Sequence, residues 1–171
     1  MKKVLIVVDM QNDFIYGPLG TKEAQAIVPK VKEKIEEYNT RGDLVIFTRD
    51  THTNNYLETN EGKYLPIEHC IKYTEGWKII DEISHFGDHI FNKDTFGYHR
   101  WFTLAGIKGL SEIEMVGVCT DICVISNALI LKMEFPEANI IVDATCCAGT
   151  TPEKHAAALE VMKSCQIEVI E

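Results

Sequence analysis

Residues 4–8, Val-Leu-Ile-Val-Val, form an unbroken apolar run that stops at Asp9. A strand with one wet face alternates apolar and polar residues. A run with no polar position needs cover on both faces, the condition of a strand inside a parallel sheet flanked by helices. Further strand-like segments follow at 44–48 (LVIFT), 89–93 (HIFNK), 113–118 (IEMVGV), 139–145 (NIIVDAT) and 167–170 (IEVI). Between them, 24–41 repeats Ala24, Ile27, Val28, Val31, Ile35 and Tyr38 at helical spacing and is ended by Gly42. Short helices are expected over 77–84 and 99–105, and longer ones over 122–134 and 153–164. The last is opened by Thr150 or Thr151 with Pro152 and Glu153. Strands alternating with helices predict an α/β fold: a Rossmann-like three-layer sandwich around a mostly parallel six-stranded sheet. With 171 residues, 46% of them apolar, and no repeat or linker, one domain over 1–171 is expected.

The charge balance narrows the partners. There are 26 acidic against 17 basic side chains, a formal net charge of −9, and no basic patch stands out. Nucleic acid and anionic membrane are therefore not expected partners. The first apolar stretch is too short for a secretory leader, and far below the about 20 residues of a membrane span, so a cytoplasmic location is expected. Cys119, Cys146 and Cys147 fall at predicted strand ends, and Cys123 and Cys165 in predicted helices. Free thiols in a reduced compartment fit that distribution better than a disulfide framework, with Cys146-Cys147 as buried filler.

In doubly wound sheets ligands bind outside the carboxyl ends of the strands. Asp9, Asp50, Lys93, Cys119 and the corner Thr120-Asp121-Ile122-Cys123 all fall at or just past predicted strand ends. Cys123 would lie in the first turn of a helix, where free N–H groups and the helix dipole favour a thiolate. The plainer alternative is a buried core cysteine. Cys119 is the rival nucleophile, although a strand end suits a backbone contribution better. Asp9 could act as general base if it reaches Cys123, and a nearby Lys93 would favour the ionised forms of both. Each has an ordinary structural alternative, a turn-satisfied aspartate and a solvated lysine.

The stretch 50–76 is polar and lacks a long period, and a loop of that length usually has a function. Asp50 and His52, with His69 further along, make a set that suits a divalent metal; Glu58 and Glu61 lie between. No G-x-G-x-x-G follows the first strand over 8–20, which argues against dinucleotide binding.

Five segments together carry a resemblance: IVVDMQNDF (6–14), TRDTH (48–52), LPIEHC (65–70), FNKDTFG (91–97) and VGVCTDICV (116–124). Over nearly its whole length the chain resembles the nicotinamidases of the isochorismatase-like cysteine hydrolases. That resemblance implies a triad of Asp9, Lys93 and Cys123, a cis Val118–Cys119 peptide, and an oxyanion hole from the N–H groups of Cys119 and Cys123. It also implies one divalent ion, zinc first and manganese or iron as alternatives, on Asp50, His52, His69 and a fourth residue. Counting forward from His52 favours Glu58 as the fourth, whereas anchoring on LPIEHC favours Glu61, which is the choice made. The implied reaction is hydrolysis of the nicotinamide carboxamide through a thioester, with the ion orienting the pyridine nitrogen and Phe14 and Phe96 lining an aromatic slot. The rival enzyme is a metal-independent amidohydrolase of the same architecture acting on an N-carbamoyl compound or ureide. A non-enzymatic interaction module is the third reading. The expected partner is a small-molecule amide, and assembly into homo-oligomers is left open.

Overall fold

The computed structural model describes residues 2–87 and 89–171. Six strands build one sheet: β1 (Lys2–Val8), β2 (Leu44–Asp50), β3 (Ile90–Lys93), β4 (Leu110–Val118), β5 (Asn139–Ala148) and β6 (Glu168–Ile170). Their order is β3-β2-β1-β4-β5-β6, and every pairing among the described residues is parallel. The chain winds outward from β1 through β2 and β3, then returns to β1's other side with β4. That reversal opens a crevice at the carboxyl ends of β1 and β4, where this class of sheet binds ligands.

The opening apolar run is explained by its two covers. Leu5 and Val7 face α2 (Lys22–Arg41), whose Ala24, Ile27, Val28, Val31, Ile35 and Tyr38 are buried against them. Val4, Ile6 and Val8 face the opposite layer, built from α5 (Ile125–Glu134) and α6 (Pro152–Ser164). All five β1 side chains are fully buried, each worth roughly 1.5–3 kcal/mol of transfer free energy. Gly117, at φ +115°, lies beside Val8, where an added Cβ would sit 2.9 Å from the Val8 amide nitrogen. Only glycine lets β4 come this close to β1, one residue before the strand ends. No helix among the described residues is long and apolar enough to cross a membrane.

Three boundaries differ from expectation. The helix expected over 77–84 is confined to α4 (Asp81–Ser84). Residues before it are held extended: Ile79 bridges Gln11, Asn12 N–H donates to Lys78 C=O, and Ile80 N–H donates to Met10 C=O. Backbone groups engaged this way are not free to close a helical turn. The helix expected over 99–105 is a 3-10 segment, Trp101–Gly106. β5 continues to Ala148, so Cys146 and Cys147 lie inside the strand and point to opposite layers. The six cysteines are all free. The long loop is also not bare: it carries a 3-10 turn at Tyr56–Glu58 and a short helix, α3 (Asn60–Tyr64).

One polar cluster interrupts the α2 face. Lys34 Nζ lies 2.7 Å from Glu114 and 2.9 Å from Asp143, both buried carboxylates, and Tyr38 Oη donates to Glu114 at 2.6 Å. Burial works to raise the Asp143 pKa, but its hydrogen bonds and ion pair with Lys34 and Thr145 outweigh that and hold it below the usual aspartate value. A carboxylate depressed in the folded state stabilises above its unfolded pKa of about 3.9 and loses that stabilisation as pH falls through its lowered folded value. Lys34→Met, which strips the cation from two buried carboxylates, is expected to cost about 3 kcal/mol near neutral pH. The gap to wild type should shrink below about pH 4 as Asp143 protonates. Urea unfolding midpoints across pH test this; a gap independent of pH would refute it.

Candidate active site

The crevice collects one residue from each strand end. Asp9 follows β1, Lys93 closes β3, and Cys123 lies in the corner after β4. Asp9 adopts a left-handed backbone, φ +49°, a conformation that aspartate tolerates better than most residues and that often marks a functional position. Thr48 on β2 secures it, donating from Oγ1 to Asp9 Oδ1 at 2.7 Å, while the Asp9 N–H donates back to that oxygen at 3.2 Å. The other carboxylate oxygen, Oδ2, lies 2.6 Å from Lys93 Nζ and has no other partner among the described residues. Lys93 Nζ also reaches Asp50 Oδ1 at 3.1 Å, Thr95 C=O at 3.1 Å and Cys123 Sγ at 3.5 Å. An ammonium that is 2% exposed thus touches base, sulfur and a second carboxylate at once.

The corner carrying Cys123 is not the first turn of an ordinary helix. Thr120–Val124 forms a π-helical turn, and α5 starts only at Ile125. Both Ile122 and Val124 donate to the Cys119 carbonyl, and Asn127 Nδ2 donates to the Cys123 carbonyl at 2.7 Å. The Val118–Cys119 peptide is cis. The expected depression of the thiol pKa is overturned. Burial pushes Cys123 well above the ordinary thiol value, the nearby Lys93 charge opposes this, and Asp9 and Asp50 add to it. Burial dominates because Cys123, although it borders the pocket, is largely withdrawn from water. Cys119 is likewise pushed up by burial, to about 12. Burial raises Asp9 too, against the opposing charge of Lys93, which makes it a stronger base than a solvated aspartate. For Lys93, burial alone would lower the pKa; the charges of Asp9, Cys123 and Asp50 lift it well above normal.

Beside the triad, four side chains converge. One donor atom each from Asp50, His52, Glu61 and His69 lies within 4.8 Å of all the others. His52 Nε2 is 3.0 Å from Asp50 Oδ2 and 3.6 Å from Glu61 Oε1; His69 Nε2 is 3.7 Å and 3.8 Å from the same two oxygens. His69 Nδ1 lies 2.8 Å from the Ile67 carbonyl. An Nδ1–H donated there leaves Nε2 as the lone-pair nitrogen facing the carboxylates, the tautomer a metal ligand needs. Two imidazole nitrogens and two carboxylate oxygens form a donor set suited to a borderline divalent ion such as zinc. Glu58 lies outside this group, exposed on the preceding 3-10 turn. Glu61 reaches inward from α3, which Thr59 caps through the Gly62 N–H at 3.0 Å.

The sequence matches the Isochorismatase domain over residues 3–171. The chain belongs to the isochorismatase family. The "Nicotinamidase" of Schizosaccharomyces pombe is 25% identical over 97% of this chain and 91% of that protein. A pyrazinamidase of Pyrococcus horikoshii, solved in complex with zinc, superposes with a TM-score of 0.87 at 28% identity, covering 100% of this chain and 99% of that one. An N-carbamoylsarcosine amidase from Thermoplasma acidophilum gives 0.82 at 26% identity, over 100% and 96%.

A cavity of about 850 Å³ opens over Cys123 and borders Asp50, Glu61 and His69. Phe14 and Phe96 both line it, Phe14 buried and Phe96 46% exposed at the mouth. Leu19, Tyr64 and Leu65 extend the apolar wall, and Thr150 and Lys154 close the far side. Two further residues hold this arrangement: Asp121, part of the corner expected at this strand end, and Asn127, which was not foreseen. Asn127 ties Cys123 to the Tyr98 and Trp101 segment, and Asp121 accepts two hydrogen bonds from Thr150. Asn127 sits at i+4 from Cys123, and that spacing was the only signal available for it. The raised Cys123 pKa has a testable sign. Less thiolate is present at pH 7–8 than for a free thiol, so in metal-free protein iodoacetamide should alkylate Cys123 more slowly than free cysteine. The rate should keep climbing beyond about pH 10, where a free thiol of pKa about 8.5 is almost fully ionised and its rate has levelled off. Peptide-level mass spectrometry reads this out, and saturation at or below neutral pH would refute it.

Proposed function

We propose that this chain hydrolyses the carboxamide of nicotinamide to nicotinate and ammonia, with Cys123 as nucleophile. The observation that carries this reading is Asp50, whose Oδ1 meets the triad lysine and whose Oδ2 faces the two histidines. A nucleophile and a ring-nitrogen acceptor would then share one pocket, as a heteroaromatic amide requires. A divalent ion, zinc first with manganese or iron as alternatives, would be held by Asp50, His52, Glu61 and His69 and would supply a Lewis-acid contact for the pyridine nitrogen. Phe14, packed 5.4 Å from the His69 ring, and Phe96 would flank the substrate ring. Holding the carboxamide over Cys123 removes much of the entropic part of the barrier.

In this mechanism Asp9 Oδ2, which has no partner but Lys93 among the described residues, takes the thiol proton as sulfur attacks the carboxamide carbon. Burial suits this concerted path, because a standing thiolate is disfavoured and Asp9 is a strengthened base. The backbone N–H groups of Cys119 and Cys123 are assigned to the oxyanion. Asp9 passes the proton to the amide nitrogen, the C–N bond breaks, ammonia leaves and a thioester remains. Asp9 then takes a proton from water as it attacks the thioester carbonyl; the C–S bond breaks, that proton returns to sulfur, and the freed carboxylic acid loses its own proton to solvent as nicotinate. Lys93 stays charged throughout and offsets the negative charge that moves between Asp9 and Cys123. An acyclic carbamoyl substrate could use the same triad without a ring nitrogen to place.

The test is ammonia release from nicotinamide by zinc-loaded wild type, chelator-treated wild type and Cys123→Ala. Loaded wild type should turn over, chelation should remove most of the rate, and Cys123→Ala should lose at least about 10³-fold. Turnover of N-carbamoyl compounds but not nicotinamide by wild type would overturn the assignment.

A further inference from the structure

Gln11, in the corner between β1 and α1 (Asn12–Ile15), and Asp13, in the first turn of α1, belong to neither the triad nor the ligand group, yet both grip the ligand-bearing main chain. Gln11 is fully buried. Its Oε1 accepts the Asp50 N–H at 2.7 Å, and its Nε2 donates to the Asp50 carbonyl at 2.9 Å and the Trp77 carbonyl at 2.9 Å. One primary amide therefore fixes the peptide planes on both sides of Asp50. Asp13 acts on the other end of the loop. Its Oδ2 accepts the N–H of Cys70, the residue after His69, at 2.7 Å. Cys70 is held in left-handed backbone at φ +48°, and its carbonyl accepts the His52 N–H at 2.9 Å. Gly17 and Gly76 close around the Asp13 carboxylate so tightly that a Cβ at Gly76 would sit 2.1 Å from Oδ2.

These contacts converge on three of the four candidate ligands. Asp50 is held through both its backbone groups, His69 through its neighbour, and His52 through that neighbour's carbonyl. Glu61 has no equivalent tether; it reaches in from α3. We propose that Gln11 and Asp13 are positioning residues for the metal centre, setting the convergence of Asp50, His52 and His69 and hence the affinity for the ion. The inference rests on the metal reading above. Groups locked before binding lose little freedom when the ion arrives, whereas loosened ones must be ordered by it. Supporting shells of metal sites typically change affinity by 10–100-fold when removed.

The measurement is zinc affinity of the full chain by competition with a chromogenic chelator, with the visible spectrum of the cobalt-substituted protein beside it. Gln11→Met and Asp13→Ala should each weaken zinc binding by about 10–100-fold and alter the cobalt bands. Asp13→Asn, which keeps an oxygen for the Cys70 N–H, should restore near-wild-type affinity. Urea midpoints of the metal-free proteins separate this from plain destabilisation. A variant that is less stable yet binds zinc as wild type does would overturn the inference, as would an unchanged cobalt spectrum. If Gln11→Met does not fold, the Asp13→Ala and Asp13→Asn pair decides. A wild type that takes up no zinc would overturn the metal reading itself and this inference with it, whereas unchanged variants of a zinc-binding wild type sink the inference alone.

Discussion

The site is organised around one buried ammonium. Lys93 is 2% exposed and has within 3.5 Å the carboxylates of Asp9 and Asp50, the Thr95 carbonyl and the Cys123 sulfur. Burying a lone charge costs several kcal/mol, and burying two lone carboxylates costs more. Neither can be removed from water without the other. The cation makes the two carboxylates tenable in the crevice, and they in turn keep it charged. Asp9 is then a base of raised strength at one side of the ammonium, and Asp50 faces the histidines as an anion at another. Burial alone would raise the Asp50 pKa, but Lys93 and the hydrogen bond from His52 bring it below normal. Two aspartates at neighbouring strand ends are thus driven in opposite directions by their surroundings.

Much of the architecture was readable from the order of residues. A continuous apolar strand needs two covers, and the strand–helix alternation then leaves few alternatives to a doubly wound sheet. Asp9, Asp50, Lys93 and Cys119 were found at strand ends because a run of apolar residues stops abruptly at a polar one. What could not be read is electrostatic and local. The thiol pKa was expected to fall because a helix start favours anions, but the π-helical turn displaces Cys123 from that start and burial outweighs any dipole. The helix expected over 77–84 was shortened by backbone bonds to Met10, Gln11 and Asn12, contacts distant in sequence that no local periodicity reports.

The ligand loop shows how a segment without long periodicity is ordered. Its hydrogen bonds run largely within itself: His52 with Cys70 and Lys72 through the backbone, Tyr56 Oη to the Leu65 carbonyl, and Trp77 Nε1 to Thr51 Oγ1. Tyr56 is fully buried, its ring 4.7 Å from His52 and 4.9 Å from His69. A loop held by side-chain-to-backbone bonds has no repeat for a periodicity search to detect. This is why Glu58 and Glu61 were hard to separate by spacing, although one ends up at the surface and the other among the imidazoles.

The parallel pairing of β1 with β4 has a further consequence for the chain as it is made. Asp9 and Cys123 meet only once β4 has docked beside β1, with β2, β3 and the whole ligand loop strung between them. Contacts this far apart in sequence form late, because the entropy of closing the intervening chain is lost before any contact repays it. Until then Cys123 is an ordinary solvated thiol with a pKa of about 8.5, more ionised and more open to oxidants than in the finished fold. The native state therefore shelters this thiol, and the unfinished chain is the form most exposed to chemical damage.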